Sequence, residues 1–276
     1  MILVTGATGN VGGELVRRLA DEGREVRALV RDDGRGLPSG VEPVSGDLNH
    51  PRTLAGAFTG VRAAFLLSGY ADMPGLLREA ERAGVGHVVL LSSGAVVGGD
   101  RGNAITAYNM ASEEAVRAAG MPYTLLRPSG YMSNALGWRA QLAAGDVVRG
   151  PFADVAVAKL DPYDLAAVAA RVLTDGDAHK GKAHRVTGPR PLRPADEVRV
   201  LGEVLGRDLR FEGQGDAEAR AEMARTDPPE YVDAFFRYFS AGEYDDSRVL
   251  PTVEEITGGP ARTFEDWARA HAAAFR

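Results

Sequence analysis

The first thirteen residues, MILVTGATGNVGG (residues 1–13), decide the predicted fold. Residues 2–5 have the composition of a buried parallel strand, and residues 14–19 are apolar at helical spacing. Gly6, Gly9 and Gly12 lie between them. This order forms a pyrophosphate cradle, because backbone N–H groups and the helix dipole point at the anion. The alternative is a tight turn that needs glycine only for its backbone conformation, but a single turn does not require three spaced glycines.

The end of the second predicted strand, residues 24–30, indicates which dinucleotide binds. A site for NAD usually has an acidic residue there, which accepts from the ribose 2′-hydroxyl. This chain has Arg31 at that position and Arg35 close behind. A guanidinium suits a 2′-phosphate, so the pattern favours NADP(H). Asp32 and Asp33 follow directly, and the alternative is a solvated loop of mixed charge.

Composition excludes several classes of function. The net charge is −6, which gives no basic footprint for nucleic acid. The chain has no cysteine, so disulfides, thiolate metal sites and a cysteine nucleophile are excluded. Its five histidines lack metal-ligand spacing, and we expect no metal. No apolar run reaches the roughly 20 residues of a membrane helix, and the first strand leaves no room for a signal peptide. We expect a cytoplasmic protein without a membrane partner, and its oligomeric state stays open.

Strands alternate with helices over the first two thirds of the chain. Further strands are predicted at 41–46, 61–67, 87–91 and 123–126, and helices at 51–58, 74–83 and 105–119. This alternation predicts an α/β fold, a doubly wound parallel sheet of the Rossmann type. Residues 134–144 read as helical, 155–160 as extended, 162–173 as a helix and 183–187 as a strand. Helices are then predicted at 194–205, 216–225, 228–241, 252–257 and 263–274.

These elements predict two regions. A dinucleotide-binding domain covers residues 1–130, and residues 155–187 return to it. A smaller, mainly helical substrate region covers residues 131–154 and 188–276. In its helix at 228–241, an aromatic stripe falls on one face, typical of a core, although a lid over a flat substrate is the alternative, with Met132 and Trp138 adding to its wall. The stripe consists of Tyr231, Phe235, Tyr238 and Phe239.

The whole chain resembles the NmrA-like branch of the atypical short-chain dehydrogenase/reductases. The resemblance is carried by TGATGNVG (5–12), LVRD (29–32), GDL (46–48), LLSS (90–93), EEAVRAAGMPYTLLRPSGYMSN (113–134) and DPYDLAAVAA (161–170). Members of this branch resemble NADPH-dependent reductases of quinones and of isoflavone-type or polyketide carbonyls. Others resemble NADP sensors that act by protein contact and catalyse nothing.

The resemblance implies cofactor contacts at the ends of the predicted strands. The 2′-phosphate would lie at Arg31 and the adenine at Asp47 and Leu48, with the Asp47 carboxylate accepting from the exocyclic amine. The other implied contacts are Gly6, Thr8, Gly9, Asn10, Val11 and Gly12 at the pyrophosphate, Leu67 and Ser68 under the ribose near the nicotinamide, and Ser92, Ser93 and Pro128, with the loop to Tyr131, at the nicotinamide.

The catalytic residues depart from the family pattern. Short-chain enzymes typically use Tyr-x-x-x-Lys, in which the lysine lowers the tyrosine pKa and eases proton transfer. Here Ile105 and Asn109 stand at those two positions. The candidate catalytic residues are Tyr108, Tyr131 and Ser92. The alternative for Tyr108 is an ordinary helix residue with a solvated hydroxyl, and for Tyr131 a wall of the pocket. The alternative for Ser92 is a side chain that hydrogen-bonds the backbone at a strand end.

The missing pair shapes the expected function. Without a tuned acid, unactivated ketones are difficult substrates, whereas quinones delocalise the developing negative charge. The expected function is NADPH-dependent reduction of a quinone-like or aromatic, polyketide-type carbonyl in a small molecule. The alternative is an NADP(H)-binding regulator without turnover. An epimerase or dehydratase that retains its cofactor is disfavoured by the missing pair.

Overall fold

The computed structural model describes residues 1–31, 34 and 36–276. Asp32, Asp33 and Arg35, which bear on the predicted 2′-phosphate contact, lie outside the described residues. The described strands are β1 (Ile2–Val4), β2 (Val26–Val30), β3 (Glu42–Ser45), β4 (Ala63–Leu67), β5 (His87–Leu91), β6 (Tyr123–Pro128), β7 (Val147–Gly150), β8 (Ala183–Val186) and β9 (Arg210–Gly213). The described α-helices are α1 (Asn10–Asp21), α2 (Ala55–Phe58), α3 (Met73–Arg82), α4 (Ala104–Ala118), α5 (Arg139–Ala144), α6 (Pro162–Thr174), α7 (Pro194–Leu205), α8 (Asp216–Met223), α9 (Pro229–Phe239), α10 (Thr252–Thr257) and α11 (Phe264–His271).

Seven of the described strands form one parallel sheet in the order β3-β2-β1-β4-β5-β6-β8. Ile2 pairs with Val26 on one side and with Ala63 on the other. The strand order reverses between β1 and β4, so the carboxyl ends of the parallel strands form a crevice at this switch point. The predicted doubly wound α/β sheet is confirmed.

Two apolar cores cover the two faces of the sheet. The first core joins α1, α6 and α10 to the sheet, and Leu15 and Leu165 have no exposed surface there. The second core joins α2, α3 and α4 to the opposite face, through fully buried residues such as Leu76 and Val116. Helices on both faces bury the strands from both sides, which explains why a strand such as β4, with the sequence AAFLL, is apolar throughout.

A third core lies in the C-terminal region. It contains Met132, Leu142, Val148, Leu201 and Trp267, so residues from both 131–154 and 188–276 share it. Strand β8 lies in the large sheet and α6 packs on that sheet, as expected for the segment 155–187. Helix α10 also packs there, because Val253 belongs to the first core. The predicted division into two regions stays a prediction.

The sequence expectations in this region had mixed outcomes. The predicted helical segment 134–144 is confirmed, as a 3-10 helix (Met132–Trp138) followed by α5. Residues 155–160, predicted as extended, belong to none of the described strands; they make isolated bridges between Val157 and Leu192 and between Tyr131 and Leu160. Their backbone bonds go to several segments instead of one neighbouring strand, since Ala158 N–H donates to Asp246 O. The parallel pair β7–β9 had not been predicted, because its four-residue strands carry too short a pattern.

Two features of composition can be compared with the described structure. No helix in the described part of the chain is both long and apolar enough to cross a membrane. Among the same residues, no group of three or more acidic, histidine or cysteine side chains is arranged to hold a metal ion.

Candidate active site

The glycine loop joins β1 to α1 by close packing. Gly6 has φ +62°, and a Cβ there would lie 2.8 Å from Leu67 Cδ1. A Cβ on Gly12 would lie 2.1 Å from the carbonyl oxygen of Gly6, so only glycine lets the first turn of α1 approach the loop. Gly9 is extended, with φ −86° and ψ 177°, and is exposed. A Cβ on Gly9 would lie 3.2 Å from Gly6 O, a milder restriction than at Gly6 and Gly12. Two glycines therefore have separate steric reasons, and the loop is more than one tight turn.

The N-terminus of α1 opens at this loop without a side-chain cap. Gly9 occupies the N-cap position, and no side chain accepts a hydrogen bond from the first turn. The first N–H groups of a helix lack partners within the helix and favour an anion. Thr8 and Asn10 are exposed beside them, and Val11 is buried beneath. Asn10 Nδ2 donates to Ser133 Oγ at 3.2 Å, which ties the loop to the segment after β6.

A second group of residues lies close together after the ends of β2, β3 and β4, and it consists of Arg31, Asp47 and Tyr70. Arg31 is exposed directly after β2, and its charge lowers the pKa of Tyr70, although burial raises that pKa overall. Asp47 accepts from His50 Nδ1 at 2.6 Å, and this bond holds the pKa of the carboxyl below its usual range. Leu48 is half-buried beside this group. Tyr70 was missed, although an aromatic residue shortly after a strand end is a signal for a base-stacking wall.

Ser68 and Leu67 end β4 in contact with the neighbouring segments. Leu67 packs against the glycine loop at Gly6. The Ser68 hydroxyl donates to Leu91 O at 2.9 Å, so this hydrogen bond joins the end of β4 to the end of β5. The following amide of Gly69 donates to Ser112 Oγ at 3.0 Å, which ties this strand end to α4.

Ser92 takes part in a buried ionic network. Its hydroxyl donates to Glu113 Oε1 at 2.7 Å, and Arg127 binds the same carboxylate through Nε at 2.8 Å and Nη2 at 2.6 Å. Arg117 adds a contact at 3.1 Å. Burial alone would raise the pKa of Glu113, but the bonds from Arg127 and Ser92 outweigh it and lower the pKa. The contacts give Ser92 a role in structure, and its catalytic role stays a prediction.

Ser93 and Pro128 also bound the crevice. Ser93 Oγ accepts from Ala95 N–H at 3.2 Å and caps the 3-10 helix Gly94–Gly98. Pro128 is the last residue of β6. Its carbonyl oxygen lies 3.1 Å from the place of a Cβ on Gly94, so the two strand-end loops touch.

Tyr108 and Tyr131 lie near one another at this edge. Tyr108 is 37% exposed, and its ring covers Gly69, whose Cβ would lie 3.3 Å from it. Burial raises the pKa of Tyr108. Burial also raises the pKa of Tyr131, and the neighbouring Tyr108 adds to this shift. Both shifts run opposite to the one that a neighbouring lysine would produce.

Helix α9 packs over the start of α4. Tyr238 is buried and shares a 2.6 Å hydrogen bond with Thr106, and the Tyr231 ring meets Tyr108 edge-on at 6.3 Å. The core face is formed by Val232 and Phe236, which are buried. The prediction that the aromatic stripe is core was therefore wrong in part, because its members Tyr231, Phe235 and Phe239 are half-buried. Met132 is buried and Trp138 half-buried.

Comparisons with known proteins establish the family. Residues 1–241 match the NmrA-like family, and the chain belongs to it. It is 42% identical to the (4-alkanoyl-5-oxo-2,5-dihydrofuran-3-yl)methyl phosphate reductase of Streptomyces griseus, covering 100% of this chain and 99% of that protein. It is 34% identical to the NAD(P)H azoreductase of Xenophilus azovorans, with coverage of 100% and 99%. The NADPH complex of an Escherichia coli quinone oxidoreductase superposes with a TM-score of 0.81 at 23% identity, covering 99% and 100%.

Proposed function

We propose that this chain is an NADP(H)-dependent reductase of a conjugated, electron-poor carbonyl compound of the quinone-like or aromatic type. The observation that carries the proposal is the position of two tyrosines, with no activating cation beside them among the described residues, at the same sheet edge as a complete glycine loop. The relatives at 42% and 34% identity, both named as reductases, support the class of reaction.

The loop and its surroundings fit a dinucleotide phosphate. The uncapped N-terminus of α1 offers N–H donors to a pyrophosphate, and the missing Cβ of Gly9 leaves the approach open. Arg31 would bind the 2′-phosphate, and Tyr70 and Asp47 would border the adenosine. When bound, NADPH supplies a hydride from its nicotinamide ring. The chain's own task is then to orient the acceptor and to deliver a proton.

The tyrosines determine which acceptors suit the site. A tyrosine whose pKa is raised stays protonated at neutral pH, but it gives up its proton reluctantly. The acceptor must therefore carry the developing negative charge itself. A quinone does so by becoming an aromatic phenolate. A ring C=C that is conjugated to two carbonyl groups does so as an enolate shared by both, and we extend the proposal to such unsaturated lactones.

Tyr108 is the better placed proton donor. Tyr108 is more than one-third exposed as a residue, whereas Tyr131 packs against the first core. A donor next to solvent can regain its proton between turnovers. Asn109, at the position of the family's lysine, donates its side-chain amide to Ile105 O at 2.9 Å within α4. Asn109 carries no charge, and its side-chain hydrogen bond lowers the pKa of Tyr108 by less than burial raises it.

The test is turnover followed by the loss of NADPH absorbance. The acceptors are a naphthoquinone, a 3-acyl-2-furanone and a simple aliphatic ketone. We expect oxidation with the first two and little with the third. Tight NADPH binding without oxidation by any acceptor would overturn the enzyme proposal. The regulator would then be the better explanation, and a pull-down with and without NADP would follow.

Two matched variants test the assignment of the proton donor. Tyr108→Phe should lower kcat roughly 10²-fold, the usual contribution of a general acid, while Tyr131→Phe should lower it far less. Each variant removes only a hydroxyl, so packing is retained. A larger loss of kcat in Tyr131→Phe would reverse the two roles.

A further inference from the structure

A short segment between α9 and α10, Tyr244–Asp246, crosses the ends of β5 and β6; we call it the strap. It lies beyond residues 1–241, which match the family. Its last residue, Asp246, is only 6% exposed, although it carries a carboxylate. Placing a charge inside a protein is costly unless hydrogen bonds compensate. The contacts of Asp246 therefore show what this buried carboxylate does.

Both carboxylate oxygens of Asp246 accept hydrogen bonds. Gly130 N–H donates to Oδ2 at 2.8 Å, and the Tyr244 hydroxyl donates to Oδ1 at 2.8 Å. The backbone of the same residue accepts from Ala158 N–H at 2.8 Å. Arg185 Nη2 lies 3.5 Å from Oδ1 and balances the charge. Asp246 is thus bonded directly to the residue before Tyr131, on a segment 116 residues earlier in the chain.

The Tyr244 hydroxyl reaches the second loop. A Cβ on Gly94 would lie 2.3 Å from this oxygen, so the loop after β5 has no room for a side chain there. The same Cβ would lie 3.1 Å from Pro128 O, so the strap meets both loops at one point. The Tyr244 ring is held by Tyr238, at 5.5 Å between ring centroids.

We propose that Asp246 is a positioning residue for hydride transfer: through Gly130 N–H and the Tyr244 hydroxyl it sets the spacing of the loops Ser93–Gly94 and Pro128–Tyr131. The inference rests on the proposed function, in which these loops border the nicotinamide. Asp246 contacts neither cofactor nor substrate in this role. Its effect on the rate comes from geometry, because a misplacement of 1 Å can cost about 10²-fold.

The experiment compares Asp246→Ala and Asp246→Asn with Asp245→Ala. Asp245 is the adjacent, exposed residue, whose carboxylate caps Ser247, so it controls for loss of a charge from the strap. Tyr244→Phe keeps the ring and removes only the hydrogen bond from the Tyr244 hydroxyl to Asp246 Oδ1. The measurements are kcat and KM for a naphthoquinone, NADPH affinity, emission of bound NADPH, and hydrogen exchange of residues 128–134 in the protein without cofactor.

We expect Asp246→Ala to lower kcat by about tenfold or more while the NADPH dissociation constant changes by less than about threefold. Hydrogen exchange should accelerate at residues 128–134 and stay unchanged at residues 6–12. Asp246→Asn should recover most of kcat, because its amide oxygen can accept from Gly130 N–H. Asp245→Ala should have the kcat of the wild type, and the kcat of Tyr244→Phe should lie between those of the wild type and Asp246→Ala.

Two results would overturn the inference. One is equal kcat in Asp246→Ala and Asp245→Ala. The other is a parallel loss of NADPH affinity and of protection at residues 6–12, which would show general destabilisation. If Asp246→Ala does not fold, Tyr244→Phe, which removes the hydrogen bond to Asp246 Oδ1, is compared with Asp245→Ala by the same criteria. If the wild type turns over no acceptor, the proposed function fails, whereas hydrogen exchange and the emission of bound NADPH still test the positioning.

Discussion

The two ends of the crevice are built in different ways. The proposed pyrophosphate end comes from one continuous stretch, in which Gly6 and Gly12 lie against each other and Gly6 lies against Leu67 of β4. The proposed nicotinamide end is assembled from distant segments: Tyr108 on α4, Tyr131 after β6, and Asp246 in the strap. Local sterics specify the first end, whereas contacts between segments more than 100 residues apart specify the second.

This difference separates binding from positioning. Changes in the glycine loop act directly on the anion, because they add atoms where its oxygens would lie. Changes at the other end act through hydrogen bonds and buried charge, such as the network of Ser92, Glu113 and Arg127. We therefore expect the first end to control affinity and the second to control rate and stability.

The largest effect is expected at the pyrophosphate end. Gly9→Val should weaken NADPH binding by about 100-fold or more, because its branched Cβ enters the phosphate approach. The extended backbone suits valine, and the one close contact of the Cβ, 3.2 Å to Gly6 O, asks the loop to shift by only a few tenths of an ångström. Calorimetric titration measures the affinity, and urea unfolding should show a change of about 1 kcal/mol or less. Gly12→Val should lose stability as well, since its Cβ would lie 2.1 Å from Gly6 O.

Gly13→Ala is the matched control. A Cβ there would lie 3.5 Å from the nearest backbone atom, Ala7 O, which is ordinary contact. Alanine should therefore leave NADPH affinity unchanged and stabilise α1 slightly. Tight NADPH binding to Gly9→Val would break the distinction between the two ends.

A smaller effect is expected at Arg31. Arg31→Ala should weaken NADPH binding by about 1.5 to 3 kcal/mol, the range for hydrogen bonds to charged groups, and leave NADH nearly unchanged. Affinities for both cofactors, measured by quenching of intrinsic fluorescence, check this. Arg24→Ala, an equal charge change on an exposed residue before β2, is the control. Equal losses for NADPH and NADH would remove Arg31 from the 2′-phosphate site.

The smallest effect concerns stability and pH at the nicotinamide end. The pKa of Glu113 is lowered in the folded protein, so the stability from this carboxylate is complete above its ordinary pKa of 4.5 and is lost as pH falls through the lower folded value. Glu113→Gln should therefore lose about 1 to 2 kcal/mol at neutral pH and little at acidic pH.

Urea unfolding of Glu113→Gln at both pH values measures this dependence. Glu114→Gln is the matched control, because Glu114 is exposed and pairs with Arg101 at the surface. We expect it to show almost no loss at either pH. A loss in Glu113→Gln that is the same at both pH values would show that packing, and not the charge, is responsible.

Much of the fold was predictable because its signals are local. β5, α7 and α10 all have their predicted bounds. The predicted α6 begins after Asp161, whose carboxylate accepts from Tyr163 N–H at 2.9 Å as an N-cap. Whether the segment 155–160 joins a sheet was not predictable, because its apolar pattern is the same whether it pairs in a sheet or bonds to several loops.

The residues of the candidate site likewise fall into some that the sequence predicted and others that it did not. The pattern of glycines already located the loop, and Arg31 stands where the strand ends. Nothing in the pattern marked Glu113 as the partner of Ser92, or Tyr70 as the neighbour of Arg31. Asp246 was missed for the same reason, since an aspartate in a polar loop normally faces water, as the adjacent Asp245 does.

The sequence by itself determined the alternation of strands and helices, the glycine loop and the absence of the Tyr-x-x-x-Lys pair. Each of these depends on neighbours within a few residues, where sterics and periodicity act directly. Only the tertiary structure decided that both tyrosine pKa values are raised, that Ser92 is bound to Glu113, and that the strap holds two loops together. These properties arise from burial and from contacts between distant segments, which no local pattern encodes.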